Sequence, residues 1–370
     1  MRLTVVQVLP ALEAGGVERG TVEMARALVQ GGHRAIVVSA GGRLEAALQL
    51  AGAEHVTLDI GRKSLFTLRQ VSPLARLLLD SGAHILHARS RLPAWISVLA
   101  LRRLGPRAPR LVTTVHGPYS VNPYSAVMTR GERIIAISDF IRDYILTNYP
   151  LTDPERIRVI PRGVSAMEFP FGYQPTAAWR ERWEREFPAL HGRTLLTLPA
   201  RVTRWKGQED FIDVVGLLRA RDVDVHGLIV GAVEPRRHGF LRELQDRARQ
   251  RGLESHVSFL GHRDDVREIM SISAVVLSLA RIPEAFGRTA LESLSLGIPV
   301  VGYDHGGTRE ILAPIFPIGL VAPESVMAVV DRVCEILKQP LVVPAHHPFP
   351  LQRMLDETLA VYAEIAGQRP

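Results

Sequence analysis

The chain has one cysteine, Cys334, in 370 residues, so no internal disulfide can form and the disulfide-stapled secreted class is excluded. A reducing, cytoplasmic setting is the expectation. No apolar run approaches the roughly 18 residues that a membrane-spanning helix needs, and the opening MRLTVVQVLP meets Glu13 too soon to form a signal-peptide core. Neither a span nor a leader is expected. Lysine is almost missing: Lys63, Lys206 and Lys338 stand among 45 basic residues, so arginine, the better bidentate phosphate ligand, carries nearly all the positive charge. Aromatic residues make up 6% and do not interleave with the basic ones, which argues against a nucleic-acid partner. G-x-G-x-x-G is also absent, since Gly20 falls outside the spacing set by Gly15 and Gly16. That disfavours a nicotinamide-dependent oxidoreductase.

What is present is a globular composition, 46% apolar and 22% charged, at a length that implies two domains rather than one core. Residues 1–170 carry a net charge of +8 and the remaining 200 carry −1. A basic half attracts phosphate-rich partners, so an anionic acceptor and peripheral contact with the inner-membrane surface are the expectations it raises.

Short β-branched runs alternate with helical periods along the chain. Leu3–Leu9 leads through Gly15–Gly16 into a helix, and similar runs follow at Ala35–Ser39, Ile85–His87, Leu111–His116 and Ile134–Ile137. These read as buried parallel strands. A stretch with Pro170, Gly172, Pro175, Pro188, Trp179 and Trp183 breaks the rhythm, which resumes at Thr194–Pro199, Val225–Gly231, Val257–Leu260, Val275–Leu279, Pro299–Gly302 and Ile318–Val321. After Pro340, Pro344, Pro348 and Pro350 comes an amphipathic stretch, Leu351 to Ala366. The expected division is therefore domains 1–165 and 193–345, a linker 166–192, and a C-terminal segment 346–370 that packs back on the first domain. Open parallel sheets bind ligands outside the carboxyl ends of their strands, and two of them place the site in the cleft between.

The segment from Pro283, PEAFGRTALESLSLGIPVV, sets Glu284 before a helix start and Glu292 within the helix. The first-turn amides from Phe286 through Gly287 and Arg288 to Thr289 form an anion site, beside which either carboxylate can hold sugar hydroxyls. An ordinary reading stands beside each: a solvated loop carboxylate for Glu284, and for Glu292 a surface pair with Arg288 at i,i+4.

This segment resembles the two-glutamate motif of retaining GT-B glycosyltransferases of family 4. Arg201 and Lys206 in PARVTRWKGQ are similar to that family's donor-diphosphate cations, Gly15 and Gly16 to its glycine loop, and His116 of TVHG to its histidine near the donor sugar. Gly306 and Gly307 of HGGTRE resemble its Gly-Gly-x-x-Glu turn. Ser138 and Gly163 sit in segments like those that close its first domain. Two departures stand out: Arg162 occupies a place where Asn is common, and APIFPIGLVAP lacks the usual Asp-Gly. The resemblance spans essentially the whole chain. It implies two Rossmann-like α/β domains with parallel sheets facing across a cleft, a first domain for the acceptor, a second for the nucleotide sugar, and a C-terminal helix crossing back.

The resemblance further implies transfer with retention from a UDP, GDP or ADP sugar, with no bound cofactor and no metal. Arg201 and Lys206 would stabilise the leaving diphosphate, Glu284 would bind the donor sugar and Glu292 the ribose. HARSRLPAWIS, with Arg89, Ser90 and Arg91, resembles transferases of lipopolysaccharide core and cell-surface polysaccharide assembly, which implies an anionic glycan or glycolipid acceptor. Arg62 and Lys63 extend that patch. Asp222-x-Asp224 precedes a predicted strand and His346–His347 lacks partners, so no metal site is expected. No carboxylate pair of the hydrolase kind is placed on both sides of one sugar. The alternative from another class is a nucleotide-sugar epimerase on the same fold.

Overall fold

The computed structural model describes residues 1–13, 15–339 and 341–367. Pro340 and residues 368–370 of the expected C-terminal segment lie outside the described residues. Two compact units divide the chain: Met1–Arg162 together with Gln352–Pro370, and Gly163–Leu351.

In the first unit seven strands, β1 (Thr4–Val8), β2 (Arg34–Ser39), β3 (Glu54–Thr57), β4 (Ile85–Ala88), β5 (Arg110–Val115), β6 (Arg133–Ala136) and β7 (Ile157–Val159), form one sheet. Its order is β3-β2-β1-β4-β5-β6-β7, and every pairing is parallel. The central strands β1 and β4 are buried almost throughout, as helices on both faces of a parallel sheet require. The edge strands β3 and β7 escape a sequence reading because EHVT and IRV are short and half exposed, with no apolar run to mark them.

The second unit holds β8 (Thr194–Pro199), β9 (Val225–Val230), β10 (Val257–Gly261), β11 (Val275–Ser278), β12 (Val300–Tyr303) and β13 (Leu320–Val321) in the order β10-β9-β8-β11-β12-β13, again all parallel. Chain order reverses between β1 and β4 in one sheet and between β8 and β11 in the other. At such switch points the loops leaving adjacent strands diverge and open a crevice.

The expected linker is corrected. Residues 166–192 belong to the second unit, because Trp179 and Trp183 occupy one face of the helix Ala177–Glu186, stack at 5.2 Å and pack with Leu195, Leu228, Val230 and Ile269. Trp179 also donates to Asp265 at 2.8 Å. Prolines marked a break in rhythm there, but two buried indoles make the segment part of a core.

Of the expected C-terminal segment, residues 346–351 stay with the second unit, and the C-terminal helix Leu351–Ala366 belongs with the first unit from Gln352 onward. Its buried Tyr362 meets His87 Nδ1 at 2.6 Å, and Glu364 pairs with Arg133 and Arg158.

Candidate active site

In the second unit the candidate residues gather beyond the carboxyl ends of β8, β11 and β12. Gly207, at φ 75°, begins the helix Gln208–Arg219. A Cβ on it would lie 1.9 Å from the Leu279 carbonyl oxygen, so the loop after β8 rests directly on the end of β11. This contact brings Lys206 Nζ to 2.8 Å from Glu284 Oε1, with the two side chains only 16% and 15% exposed. The Trp205 ring faces the same ammonium at 4.4 Å. Beneath Glu284, its carbonyl accepts from Gly307 N at 2.7 Å, and a Cβ on Gly307 would fall 2.2 Å from Phe286 Cα. The Gly306–Gly307 turn after β12 is thus seated against the Glu284 loop, and only a residue without Cβ allows it.

Gly287, at φ 85°, opens the helix Arg288–Ser295, on whose first turn lie Arg288 and Thr289. Glu292 accepts from Arg288 Nε at 2.9 Å. The i,i+4 pair read from the sequence therefore exists, but it is no surface pair: the Glu292 side chain is 8% exposed. Arg201 stands apart from Lys206 and Glu284. It is 65% exposed, with Nη1 3.6 Å from Glu234.

Three residues that the sequence reading passed over hold these loops together. Arg281, just before the Glu284 loop, reaches Asp210 at 2.5 and 3.2 Å and Glu209 at 2.8 Å. Tyr303, at the end of β12, donates to Asp210 at 2.8 Å. Burial and the adjacent Asp210 carboxylate push the Tyr303 hydroxyl well above the usual phenol range, so it stays a donor. The one sequence cue was Asp210 itself, a carboxylate in the first turn of a helix that continues with the apolar Phe211 and Ile212.

In the first unit, Gly15, at φ 153°, precedes the helix Gly16–Gln30. His116 follows β5, and its Nδ1 lies 2.7 Å from Arg162 Nη2. Guanidinium only donates, so Nδ1 accepts and Nε2 carries the proton; among the described residues that nitrogen is buried without a partner. Burial, and then the charges of Arg162 and Arg89, hold His116 well below the usual imidazole range. Arg162, flagged above only as a departure, thus sets the tautomer of His116.

The expected arginine patch separates. Arg89 is 3% exposed and donates to Gln7 at 2.8 Å, because it continues the buried course of central strand β4. It lines a cavity of about 10 Å³ with Gly20, His87 and Arg162, room for about one water, so it is no surface contact for a large acceptor. Ser90 precedes the helix Arg91–Leu104. Arg91 stacks over Tyr119 and Tyr124 at 4.8 and 5.4 Å, while Arg62 and Lys63 are exposed.

Among the described residues no group of three or more His, Cys, Asp and Glu side chains gathers as a metal site. Asp224 pairs with Arg219. His347 is engaged at both nitrogens, by Ser295 and by Phe349 N.

Two buried histidines make stability pH-dependent. His87, bonded to Tyr362 and Thr114, is held well below the usual range by burial, and burial brings His226 down to about 4. Below the unfolded value of 6.5 the unfolded chain takes up protons that the native state refuses. Stability is therefore complete above 6.5 and falls as pH drops toward the native values, by about 1.4 kcal/mol per pH unit for each histidine. Urea unfolding between pH 6.5 and 5 will show a slope steeper by about one proton in wild type than in His87→Gln. Equal slopes would mean that His87 does not stay neutral.

Residues 14–167 match the family model Glycosyltransferase Family 4, and residues 180–353 match Glycosyl transferases group 1. A glycosyltransferase from Rickettsia africae superposes with a TM-score of 0.85 at 28% identity, covering 100% of both chains. The Anabaena protein Alr3699/HepE in complex with UDP and glucose gives 0.74 at 18% identity, over 99% of this chain and 98% of that one. Alpha-maltose-1-phosphate synthase of Mycolicibacterium smegmatis is 25% identical over 61% of this chain and 58% of its own length. The chain thus spans little more than half of that curated relative.

Proposed function

Since the chain belongs to the family 4 glycosyltransferases of the GT-B fold, we propose that it is a retaining, metal-independent transferase. It moves a sugar from a nucleoside-diphosphate sugar to a hydroxyl of a lipopolysaccharide-core or other cell-surface glycan acceptor. The second unit takes the donor and the first the acceptor.

The observation that carries this reading is the Lys206–Glu284 pair, 2.8 Å apart and largely shielded from water, over the Gly306–Gly307 turn. A cation and a carboxylate fixed side by side suit a donor that is anionic at its diphosphate and hydroxylated at its sugar. In the proposed reaction the bond from the anomeric carbon to the diphosphate oxygen breaks, and charge accumulates on that oxygen. Lys206 stabilises it most where it is greatest, in the transition state. Arg201, exposed and paired only at 3.6 Å with Glu234, turns onto the same oxygens. Glu284 accepts hydrogen bonds from the donor sugar and Glu292 from the ribose. The acceptor oxygen bonds to the anomeric carbon on the face the diphosphate leaves, and its proton passes to the departing diphosphate oxygen. Neutral His116, its Nε2–H fixed by Arg162, donates to a sugar hydroxyl.

A thermal-shift panel of UDP, GDP, ADP and CMP with their sugars, with and without Mg²⁺, tests the donor half. Ligand that binds only the folded state raises the midpoint with the logarithm of saturation. One diphosphate nucleotide will shift wild type without Mg²⁺ and shift Glu292→Ala less. No shift from any nucleotide would defeat the reading. Conversion of the donor sugar with no acceptor present would make the protein an epimerase instead.

A further inference from the structure

Three large apolar side chains stand in water within four consecutive positions: Leu65, Phe66 and Leu68 are 86%, 67% and 52% exposed. They lie on the short 3₁₀ helix Leu65–Gln70, in the long connection beyond the carboxyl end of β3. Local hydrogen bonds set this exposure. Ser64 Oγ caps Phe66 N at 3.2 Å, and the buried Thr67 turns inward to donate to the Arg62 carbonyl at 2.5 Å. With the turn held from within, the apolar groups have no route to the core.

The charged residues from 60 to 79 are all of one sign. Between Asp59 and Asp80 there is no acidic residue, while Arg62, Lys63, Arg69 and Arg76 are all present and exposed. Arg69 lies over the Phe66 ring at 4.7 Å, so cation and aromatic are presented together. A second copy of this face would bring like charges together, and a self-complementary contact is disfavoured. Large apolar side chains rimmed by cations match the boundary of an anionic bilayer, where rings and aliphatic chains enter below the headgroups and cations meet the phosphates.

We propose that residues 62–69 dock the protein on an anionic lipid surface. The proposal deepens the acceptor reading above and rests on its premise of a membrane-held glycan, since it sets the carboxyl end of the first sheet at the bilayer.

Flotation of the full chain with phosphatidylcholine vesicles containing about one third phosphatidylglycerol tests it. Wild type will bind at low salt, release at high salt and ignore pure phosphatidylcholine. Leu65→Ser/Phe66→Ser/Leu68→Ser will bind about tenfold less or weaker still while keeping its nucleotide-induced thermal shift, which shows that the fold and the donor site are intact. Arg62→Gln/Lys63→Gln/Arg69→Gln will lose the salt dependence. Wild type that stays unbound, or a serine variant that floats like wild type, overturns the proposal. A concentration-dependent dimer abolished by the serine substitutions assigns the face to a second copy and overturns it too. A lost thermal shift in wild type would instead sink the transferase reading.

Discussion

Lys206→Ala will lower kcat/KM for sugar transfer by about two to three orders of magnitude, the usual loss when one preorganised donor to a developing oxyanion is removed. The size follows from burial. At 16% exposure, with Trp205 against its ammonium, Lys206 acts where water screens poorly. Arg201, mostly in solvent, will cost about tenfold when replaced by alanine, since an exposed charge is screened and pays to be ordered. A structural role for Lys206 makes a different forecast. If it only neutralised Glu284, Lys206→Met combined with Glu284→Gln would restore turnover, because the unpaired carboxylate would be gone. The transferase reading requires the double variant to be as slow as the slower single one. Steady-state kinetics with the nucleotide sugar found by thermal shift, run beside melting curves, separate the two.

Asp210→Ala will destabilise the chain by about 3 kcal/mol and raise the donor KM. Asp210 is 4% exposed and takes both the Arg281 guanidinium and the Tyr303 hydroxyl. Breaking a buried pair from one side strands the other charge, and the orphaned Tyr303 hydroxyl adds its own desolvation cost. Arg281 keeps Glu209 and is about one third exposed, which places the loss at the lower end of the range for buried pairs. Tyr303→Phe removes one hydrogen bond and will cost about 1 kcal/mol. Urea unfolding of both variants checks the sizes. A kinetic split checks the connection to the site, because Asp210, on the helix after the Lys206 loop, bonds Arg281 just before the Glu284 loop. Its loss should raise KM in Asp210→Ala more than in Tyr303→Phe. Unchanged KM in both would make the cluster structural only.

Much of this arrangement was legible in the residues. Central parallel strands are buried on both faces, so β1, β8 and β9 are short, mostly apolar runs that stand out against helices. Edge strands β3 and β7 share a face with solvent and left no run to find. The Glu284 segment was legible for a local reason: a loop carboxylate, a left-handed glycine and a helix start within five residues make a motif without help from the rest of the chain. Linear spacing could not choose between Arg201 and Lys206 as the partner of Glu284, nor show that Arg89 points inward while Arg91 does not.

The sequence by itself determined the two α/β sheets, the glycine positions where loops touch, and the set of side chains available for anionic chemistry, because each is a matter of local pattern and composition. Tertiary structure alone decided which of those side chains meet. Asp210 and Tyr303 are 93 positions apart and Lys206 and Glu284 nearly as far, and strand order delivers them to one end of one sheet. The Trp179–Trp183 helix joined a core for the same reason: its partners on β8 and β9 exist only after the sheet has formed.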